Sequence, residues 1–473
     1  MLGFLFLHFN LDKLQTSFRL IVNKSVNKGA FVYKLETLVF DNGERYPVLL
    51  EEDGIPHFYT TLYVTTKLRS SMAVNTINNR LKAILWLYQW EKKKKRCLIS
   101  EFEEGRFLKH EDITDLREHL KLNVKEIKKF EQIKSSTSSR VLNLQSSSKI
   151  ITTVASVSRN HHYNRMTSVA EYLHFLATVT NQYRNCRITT SAIDEMLKSI
   201  KKARPKGKSL TVGHDSPAMS LPDGLLDEFM EVANPNHPLN PFKNEKVRKR
   251  NFLIFKLIRE TGIRRGELLS LEMTDIDLYG DKESIWIKRN HDDISDPRKK
   301  QPVSKTKERK LPIKSETAKL LDSYILEDRA TTPNASKHPY IFVTHRKCLT
   351  QGQPISESYF DNDIIPKMKK VDERFSKIHA HLFRHQWNND FSRKVDKINE
   401  IRAKATSEGK SSQALIDPAK EAKMRKHLMG HSSEKSGEVY NMRHIQDEAN
   451  KVMLEEQEHL AKLRKSQLDK DIK

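Results

Sequence analysis

The fold prediction depends on the stretch VRKRNFLIFKLIRETGIRRGELLSL, residues 247–271. Its apolar residues predict a long helix that ends at Gly262, and the helical pattern resumes after the glycine. Arg264 follows that break and Glu267 lies three residues further on, so a helix that begins there places both side chains on one face. Taken alone, such a pair is usually an exposed structural ion pair.

After this stretch, the sequence predicts three strands and then further helices to the C-terminus. The strand patterns are SIWIKR at 284–289, RKLPIK at 309–314 and YIFVT at 340–344. A basic turn, VSKTKE at 303–308, leads into the second strand. Helices followed by a small sheet and more helices indicate an α+β domain.

The N-terminal half has a different organisation. Residues 1–60 contain the β-type runs GAFVYKLETLVF and RYPVLL, and residues 61–204 show helical periodicity. Residues 205–220 are interpreted as a basic linker because proline and glycine there stop any helix. The predicted fold class is mainly α with a small β-sheet. A helical domain precedes an α+β domain at 221–445, and a helical tail follows at 446–473.

The composition indicates a polyanionic partner. The chain has 473 residues, 84 Lys and Arg against 61 Asp and Glu, and a formal net charge of +23. Nucleic acid and an anionic membrane surface are the two candidates. No stretch reaches the ~18–20 apolar residues that span a bilayer, which favours nucleic acid. The apolar start MLGFLFLHF lacks a basic region and a small-residue cleavage site, so it favours a buried segment over a signal peptide.

Two groups of residues raise the question of metal binding, and neither predicts a site. Cys97, Cys186 and Cys348 lie too far apart for a CxxC metal site or a dense disulfide framework, which favours a reducing, cytoplasmic location. His381 and His385, in HAHLFRHQW, lie four residues apart. The glutamate that a zinc protease needs after its first histidine is a leucine here.

Four short motifs follow one another in the second half of the chain. They are TGIR with Glu267, the SKT turn, the HLFR motif that begins at His381, and GHSS with Tyr440 nine positions after its histidine (440 − 431 = 9). In this order they resemble the tyrosine recombinases, also called the phage integrase family. The resemblance covers about residues 220–445. The helical region 61–204 is similar in pattern to the family's core-binding domain, which binds DNA.

The resemblance implies DNA breakage and rejoining without a metal or nucleotide cofactor. Arg264 and Arg384 match the family's two catalytic arginines, and two fixed guanidiniums suit the charge that develops on a cleaved phosphodiester. Tyr440 matches the nucleophile, whose attack leaves a 3′-phosphotyrosine of similar bond energy. Without the resemblance, a tyrosine in this setting is usually a packing residue or a surface phenol.

The same resemblance assigns four supporting roles. His381 corresponds to a base or a phosphate hydrogen-bond donor, and His431 to a hydrogen-bonding partner of the phosphate. Glu267 corresponds to a residue that braces the arginines. Lys305 of the SKT turn corresponds to the general acid. Two neighbouring lysines remain alternatives for that role: Lys307 and Lys310.

The predicted partner is double-stranded DNA, which basic residues near the linker and in the SKT turn are expected to contact: Lys201, Lys202, Arg204, Lys206, Lys208 and Lys307. The amphipathic tail includes Ile445, Met453 and Leu463. In the resembled family such a helix docks on the next protomer, which predicts a homotetramer on DNA with the tail exchanged in trans. Accessory proteins of the same mobile element are further candidate partners.

Two other functions are compatible with the sequence. A DNA-binding architectural protein that kept the fold without the chemistry is one alternative, and a type IB topoisomerase with a similar pocket is the other. The segment AKATSEGKSSQALIDPAK, residues 403–420, is interpreted as a flexible insertion.

Overall fold

The computed structural model describes residues 33–123, 156–182, 187–206, 221–222, 224–280, 282–409, 413–431, 449–460 and 462. The chain forms two compact units. The N-terminal unit comprises residues 1–39 and 45–210, and the C-terminal unit comprises residues 40–44 and 211–473. Several predicted features lie outside the described residues, namely MLGFLFLHF, Lys208, most of the linker, Tyr440, Ile445 and Leu463.

In the N-terminal unit a β-hairpin packs on helices. The antiparallel strands are β1 (Lys34–Val39) and β2 (Arg45–Leu50). The helices are α1 (Phe58–Tyr63), which continues as a π-helix (Val64–Leu68), α2 (Val74–Lys93), α3 (Leu98–Glu103), α4 (His110–Lys121), α5 (Arg159–Thr180) and α6 (Arg187–Lys202). Helix α2 packs on α5 and on β2. The apolar stripes of α2 and α5 are buried in the core, with Ile77, Leu81 and Ile84 on the first helix and Met166, Val169 and Leu173 on the second.

Among its described residues, the C-terminal unit is mainly helical with one small sheet. Its helices are α7 (Leu225–Ala233), α8 (Glu245–Thr261), α9 (Arg265–Leu269), α10 (Ser315–Ser323), α11 (Glu357–Tyr359), α12 (Ile365–Lys369), α13 (Ala380–Ser407) and α14 (Pro418–Met429). The strands are β3 (Ile276–Asp277), β4 (Ser284–Ile287) and β5 (Arg309–Pro312). Short 3-10 helices occur at Met273–Asp275, Ala335–Lys337 and Glu373–Lys377, and π-helices at Tyr324–Arg329 and Phe360–Ile364. The predicted fold class, mainly helical with small sheets, is confirmed.

Helix α8 forms the centre of the C-terminal core, and a cluster of phenylalanines joins it to α13. The ring of Phe229 lies 5.1 Å from that of Phe255 on α8, 5.2 Å from Phe375 and 5.6 Å from Phe383 on α13. All four rings are fully or almost fully buried. Because Phe383 precedes Arg384, this packing also fixes the position of that arginine.

The helix break predicted at Gly262 is present. Gly262 ends α8 with a left-handed backbone, φ 64°, and its N–H donates to Ile258 O at 3.0 Å. This conformation is the usual one for a glycine that ends a helix. A side chain there would also meet the indole of Trp387 at 2.8 Å. Helix α9 then begins at Arg265, so the chain turns sharply at the place where Arg264 lies.

Two of the three predicted strands of this unit form, and the third does not. Strand β4 pairs antiparallel with both β3 and β5, so that Ile285 lies opposite Leu311. The YIFVT run is buried but is not a strand, and its backbone groups bond to loops on two sides. Ile341 N–H donates to Leu271 O and Ile355 N–H donates to Phe342 O, each at 3.0 Å.

The segment 403–420 is not the continuous flexible insertion that its composition suggested. Its first residues complete α13, which reaches Ser407, and its last residues begin α14 at Pro418. Asn399 on α13 exchanges two hydrogen bonds with the backbone of Ile416, at 2.9 and 2.8 Å. Residues 410–412 are outside the described residues. The two ends of the segment are thus mostly exposed helical residues, and the described residues 408–409 and 413–417 between them are not helical.

The predicted helical tail is described at residues 449–460, which are helical and exposed. Met453 is 57% exposed and Leu460 is 52% exposed. Among the described residues, no helix combines the length and apolar composition needed to cross a membrane.

Candidate active site

Arg264 and Glu267 meet at the start of α9. Arg264 is the N-cap residue, and its backbone N–H donates to Glu267 Oε2 at 3.0 Å, as in a capping box. Arg264 Nη1 lies 3.5 Å from Glu267 Oε1. The Glu267 side chain is fully buried, whereas that of Arg264 is 29% exposed, so the guanidinium can reach a ligand.

Arg384 is buried in the wall of the same site. It lies on the second turn of α13 with 1% of its surface exposed. Its Nη1 donates to Gly262 O at 2.7 Å, and its Nη2 donates to Met429 O at 2.9 Å. Nη2 also lies 3.2 Å from His431 Nε2. The guanidinium therefore joins the Gly262 break to the end of α14.

The GH motif forms the turn that ends α14. Gly430 has φ 63° and caps the helix, and its N–H donates to His427 O at 3.1 Å. His431 N–H donates to Lys426 O at 3.0 Å, which folds the turn back over the helix end. The turn thus places the ring of His431, which is 4% exposed, beside Arg384.

His381 lies at the start of α13, on the solvent side of the site, and its ring packs edge-on against that of His385 at 4.5 Å. The pKa of His381 and that of His431 are each lowered to about 4, first by desolvation and then by the charge of Arg384. Arg264 lowers both pKa values further. The two arginines therefore create a positive potential at both rings, and the same potential attracts an anion.

The SKT turn reaches the site through the buried Thr306. Thr306 Oγ1 donates to Glu267 Oε1, and Lys307 N–H donates to Gly430 O at 3.0 Å. Lys305 and Lys307 are exposed. Lys310 lies on β5 and pairs with Asp277 at 3.4 Å, so its ammonium is occupied on the outer face of the sheet.

Sequence reasoning missed Arg309, which is buried at the centre of these contacts. It donates from Nη2 to Glu267 Oε2 at 2.8 Å and from Nε to Leu428 O at 2.7 Å. A usable signal existed, because alternate residues of a strand share a face and Arg309 shares its face with the apolar Leu311. An arginine on the buried face of a strand needs partners in the interior.

Tyr440 lies outside the described residues, and His431 is the described residue that precedes it most closely. The groups that the structure brings together are Arg264, Glu267, His381, Arg384 and His431. Among the described residues, no group of three or more His, Cys, Asp or Glu side chains forms a possible metal site.

A second basic region lies in the N-terminal unit. Three of the predicted DNA contacts line an open cleft of about 660 Å³, together with Arg117, Lys121 and Arg159, and they are Lys202, Arg204 and Lys206. We call it the N-terminal cleft. None of the described residues that line it is acidic. The Arg204 guanidinium lies 4.5 Å from the ring centre of Tyr163, and its Nε donates to the backbone oxygen of Lys201 at 2.9 Å.

The geometry of the site suits the binding of a phosphate group. Arg264 is partly exposed, Arg384 is fixed by two carbonyl groups, and both histidines are neutral at physiological pH because their pKa values are lowered to about 4. Fixed donors around a positive pocket stabilise negative charge on phosphate oxygens without rearrangement.

Comparisons with known structures find distant similarity. The XerH site-specific recombinase bound to difH substrate is 17% identical over 85% of this chain and 90% of its own, with a TM-score of 0.40. The XerA recombinase is 15% identical over 81% of this chain and 93% of its own, with a TM-score of 0.29. The Tn1549 transposon integrase in complex with circular intermediate DNA is 15% identical over 60% and 83%, with a TM-score of 0.33.

No curated protein matches the chain. Residues 227–403 match the model of the phage integrase family. The matched segment includes Arg264, Glu267, Lys305, His381 and Arg384, and it ends before His431. Over this segment the chain is similar to the phage integrase family, the tyrosine recombinases.

Proposed function

We propose that this protein is a site-specific recombinase that cleaves and rejoins DNA through a 3′-phosphotyrosine on Tyr440. The observation that carries the proposal is the convergence of Arg264, Arg384 and His431. These residues come from three distant parts of the chain: Arg384 Nη2 lies 3.2 Å from His431 Nε2, and the charges of Arg384 and Arg264 both lower the pKa of His431. The match of residues 227–403 to the phage integrase family model supports the same reaction.

In the proposed reaction the Tyr440 hydroxyl oxygen attacks the scissile phosphorus, and the bond from phosphorus to the 5′ oxygen breaks. The phenol proton passes to a base, the role proposed for neutral His381, and Lys305 supplies a proton to the leaving 5′ oxygen. Arg264 and Arg384 stabilise the charge on the non-bridging oxygens, and His431 hydrogen-bonds to the phosphate. Tyr440 is the only side chain that forms a covalent bond to DNA in this reaction.

Rejoining is the reverse reaction with a different strand. The 5′ hydroxyl of a partner strand attacks the phosphotyrosine and gives its proton to Lys305, and Tyr440 leaves and regains its proton from His381. Because a phosphodiester is exchanged for another of similar energy, the cycle needs no nucleotide and no redox partner.

Glu267 has a supporting role in this proposal. Its carboxylate accepts the backbone N–H of Arg264, the hydroxyl of Thr306 and the guanidinium of Arg309. Burial raises its pKa, but the charge and hydrogen bond of Arg309, together with the hydrogen bonds from Thr306 and the Arg264 N–H, outweigh burial, so the net pKa lies below its ordinary value. Glu267 therefore stays ionised and keeps the first turn of α9 in place.

We further propose that the DNA is double-stranded and is also held by the N-terminal cleft. The cations of this cleft are suited to phosphates and carry no base-specific information. We propose a homotetramer on DNA in which the exposed helix 449–460 docks on a neighbouring protomer. Integration, excision or transposition of a mobile element would be the biological use, in the cytoplasm and at the nucleoid.

The test is covalent capture on a suicide substrate. A DNA duplex from the ends of the element that carries this gene is nicked near the scissile phosphate, so that the cleaved strand diffuses away and the adduct accumulates. The unmodified protein is expected to form an adduct that maps to Tyr440, and Tyr440→Phe is expected to bind DNA without forming one. Tyr279→Phe is the matched control, since Tyr279 is 81% exposed in the same unit.

Three outcomes would contradict the proposal. An adduct with Tyr440→Phe, or one that maps elsewhere, would remove the nucleophile. Tight binding of the correct DNA without any adduct would favour the architectural alternative. Plasmid relaxation without exchange between two sites would favour the topoisomerase.

A further inference from the structure

Arg309 connects parts of the site that are far apart in the sequence. Its side chain is 1% exposed, and its three nitrogens all donate. Nη2 bonds to Glu267 on α9 at 2.8 Å, Nη1 to Thr306 in the SKT turn at 2.8 Å, and Nε to Leu428 O on α14 at 2.7 Å. One side chain thus holds the segments that carry Arg264, Lys305 and His431.

The SKT turn and the GH turn are joined by a hydrogen bond and are also tightly packed against each other. Lys307 N–H donates to Gly430 O at 3.0 Å. A Cβ atom built on Gly430 would lie 2.8 Å from Arg309 Nη1 and 2.9 Å from Thr306 Cβ. Only a glycine allows the two turns to approach this far, so Arg309 and Gly430 together set their separation.

The electrostatic part of the connection runs through Glu267. This carboxylate is fully buried and has Arg309 as its closest charged partner, at 2.8 Å, against 3.5 Å for Arg264. Removing Arg309 would leave a buried carboxylate that must draw on Arg264 or take up a proton. In either case the Arg264 guanidinium, which is 29% exposed, would change position or partner.

We infer that Arg309 is a positioning residue for DNA cleavage: through Glu267 it fixes Arg264, and through the SKT and GH turns it fixes Lys305 relative to His431. The inference rests on the proposed function for its catalytic consequence. The structural connection itself is independent of that function.

The catalytic test compares Arg309→Lys with Arg329→Lys on three suicide substrates. Arg329 is a matched control because it is 7% exposed in the same unit and donates to Tyr340 O and Ala335 O, away from the site. One substrate is ordinary DNA, and one carries sulfur at the leaving 5′ position, which departs without a general acid. The third carries a methylphosphonate, which lacks the charge that the arginines stabilise.

Arg309→Lys is expected to slow cleavage of ordinary DNA by about 10- to 100-fold, because a small misplacement of catalytic groups has an effect of that size. The deficit is expected to shrink on at least one modified substrate, since that substrate needs Lys305 or the arginines less. DNA binding is expected to change little. An equal deficit on all three substrates would show a merely structural role and overturn the inference.

A measurement without DNA separates this inference from the proposed function. Hydrogen exchange of the Lys307 amide, which bonds to Gly430 O, is expected to accelerate in Arg309→Lys and not in Arg329→Lys. If exchange changes in this way while the unmodified protein forms no adduct, the connection stands and the proposed function fails. If exchange and the substrate pattern are both unchanged, Arg309 has no positioning role.

A milder variant covers the case in which Arg309→Lys does not fold. Thr306→Val removes the hydroxyl that joins Arg309 to Glu267 and leaves the direct bond between the two charges. The same pattern of deficits is expected with a smaller amplitude. Full activity of Thr306→Val on ordinary DNA, with unchanged exchange of the Lys307 amide, would contradict the inference.

Discussion

The two basic regions of this molecule hold their charges in opposite ways. In the candidate active site, Arg384 is 1% exposed and is fixed by two backbone carbonyls and a histidine. In the N-terminal cleft, Lys121, Lys202 and Lys206 line an open surface. The first arrangement fixes donors in a defined geometry, and the second supplies charge without one.

This difference separates two tasks that net charge alone cannot distinguish. Phosphoryl transfer requires donors that need not move as charge develops, so the site has to be built into the core. Affinity for a polyanion requires only that counterions be displaced, which mobile surface lysines achieve. Substitutions in the candidate active site should therefore change the cleavage rate. Substitutions in the N-terminal cleft should change the salt-dependent affinity for DNA.

The largest effect is expected from Arg384→Met. It removes the donor to Gly262 O and Met429 O and one of the two proposed phosphate ligands, and loss of one such donor slows a reaction by about 100- to 1000-fold. Single-turnover cleavage of the suicide substrate measures the rate. Arg374→Met is the control, because that exposed arginine pairs with Asp372 and Glu228 on the surface. A rate reduction below about threefold with Arg384→Met would remove the distinction between the two regions.

The next effect in size concerns Gly430. Gly430→Ala combines a left-handed backbone, which costs about 1–2 kcal/mol for a residue with a side chain, with close contacts that add about 1–3 kcal/mol. Gly409→Ala is the matched control, since Gly409 has φ 69° and its added Cβ meets no described atom within 4 Å. Denaturant unfolding should give the difference between the two variants. Equal destabilisation would mean that the GH turn is not tightly packed.

A smaller effect is expected in the N-terminal cleft. Lys202→Gln with Lys206→Gln should weaken DNA binding about tenfold and reduce the slope of log affinity against log salt by about 0.9 for each phosphate that the protein no longer neutralises. Cleavage of DNA that is already bound should not change. The control, Lys67→Gln with Lys92→Gln, makes the same charge change at exposed positions away from the cleft. An equal reduction of affinity in the control would assign the binding to net charge.

The smallest effect is expected from pH. Because the pKa values of His381 and His431 are lowered to about 4, both rings should stay neutral from about pH 8 to about pH 5 in the DNA-free protein. Histidine NMR titration, with His381→Gln and His431→Gln to assign the signals, measures this. In the unfolded chain these residues take up protons near pH 6.5, so each makes folding less favourable as pH falls from about 6.5 to about 4. Protonation of either ring near pH 6.5 would mean that the pocket is not positive.

Local features of this chain were predictable from sequence, and interior partners were not. The break at Gly262, the Arg264 and Glu267 pair and the place of His381 on a helix all follow from spacing within one turn. The burial of Arg384 and the role of Arg309 depend on segments more than a hundred residues away, such as the carbonyls of Gly262 and Leu428.

The strand predicted at YIFVT is wrong, the flexible segment predicted at 403–420 is wrong at its two ends, and both errors have the same physical origin. The apolar run YIFVT is buried, but among the described residues it has only isolated β-bridges and no neighbouring strand to pair with, so burial alone does not make it a strand. The segment 403–420 is polar throughout, yet its two ends, 403–407 and 418–420, are helical, so polarity alone does not make a segment flexible. A hydrophobic pattern predicts which residues are buried, and it predicts the backbone conformation only when its periodicity is clear.

The anchoring of the GH turn limits how far the proposed nucleophile can travel. His431 is held by Arg384, and Gly430 is held by Lys307. Tyr440 follows nine residues later (440 − 431 = 9), and a chain of that length extends at most about 30 Å. The phenol can therefore attack only phosphates inside a sphere centred on the turn, whose radius is that backbone length plus the length of the tyrosine side chain. Lengthening the chain between Ser433 and Tyr440 would enlarge the sphere without altering the residues around Arg384. It would therefore change which phosphodiester is attacked and leave the chemistry of bond cleavage unchanged.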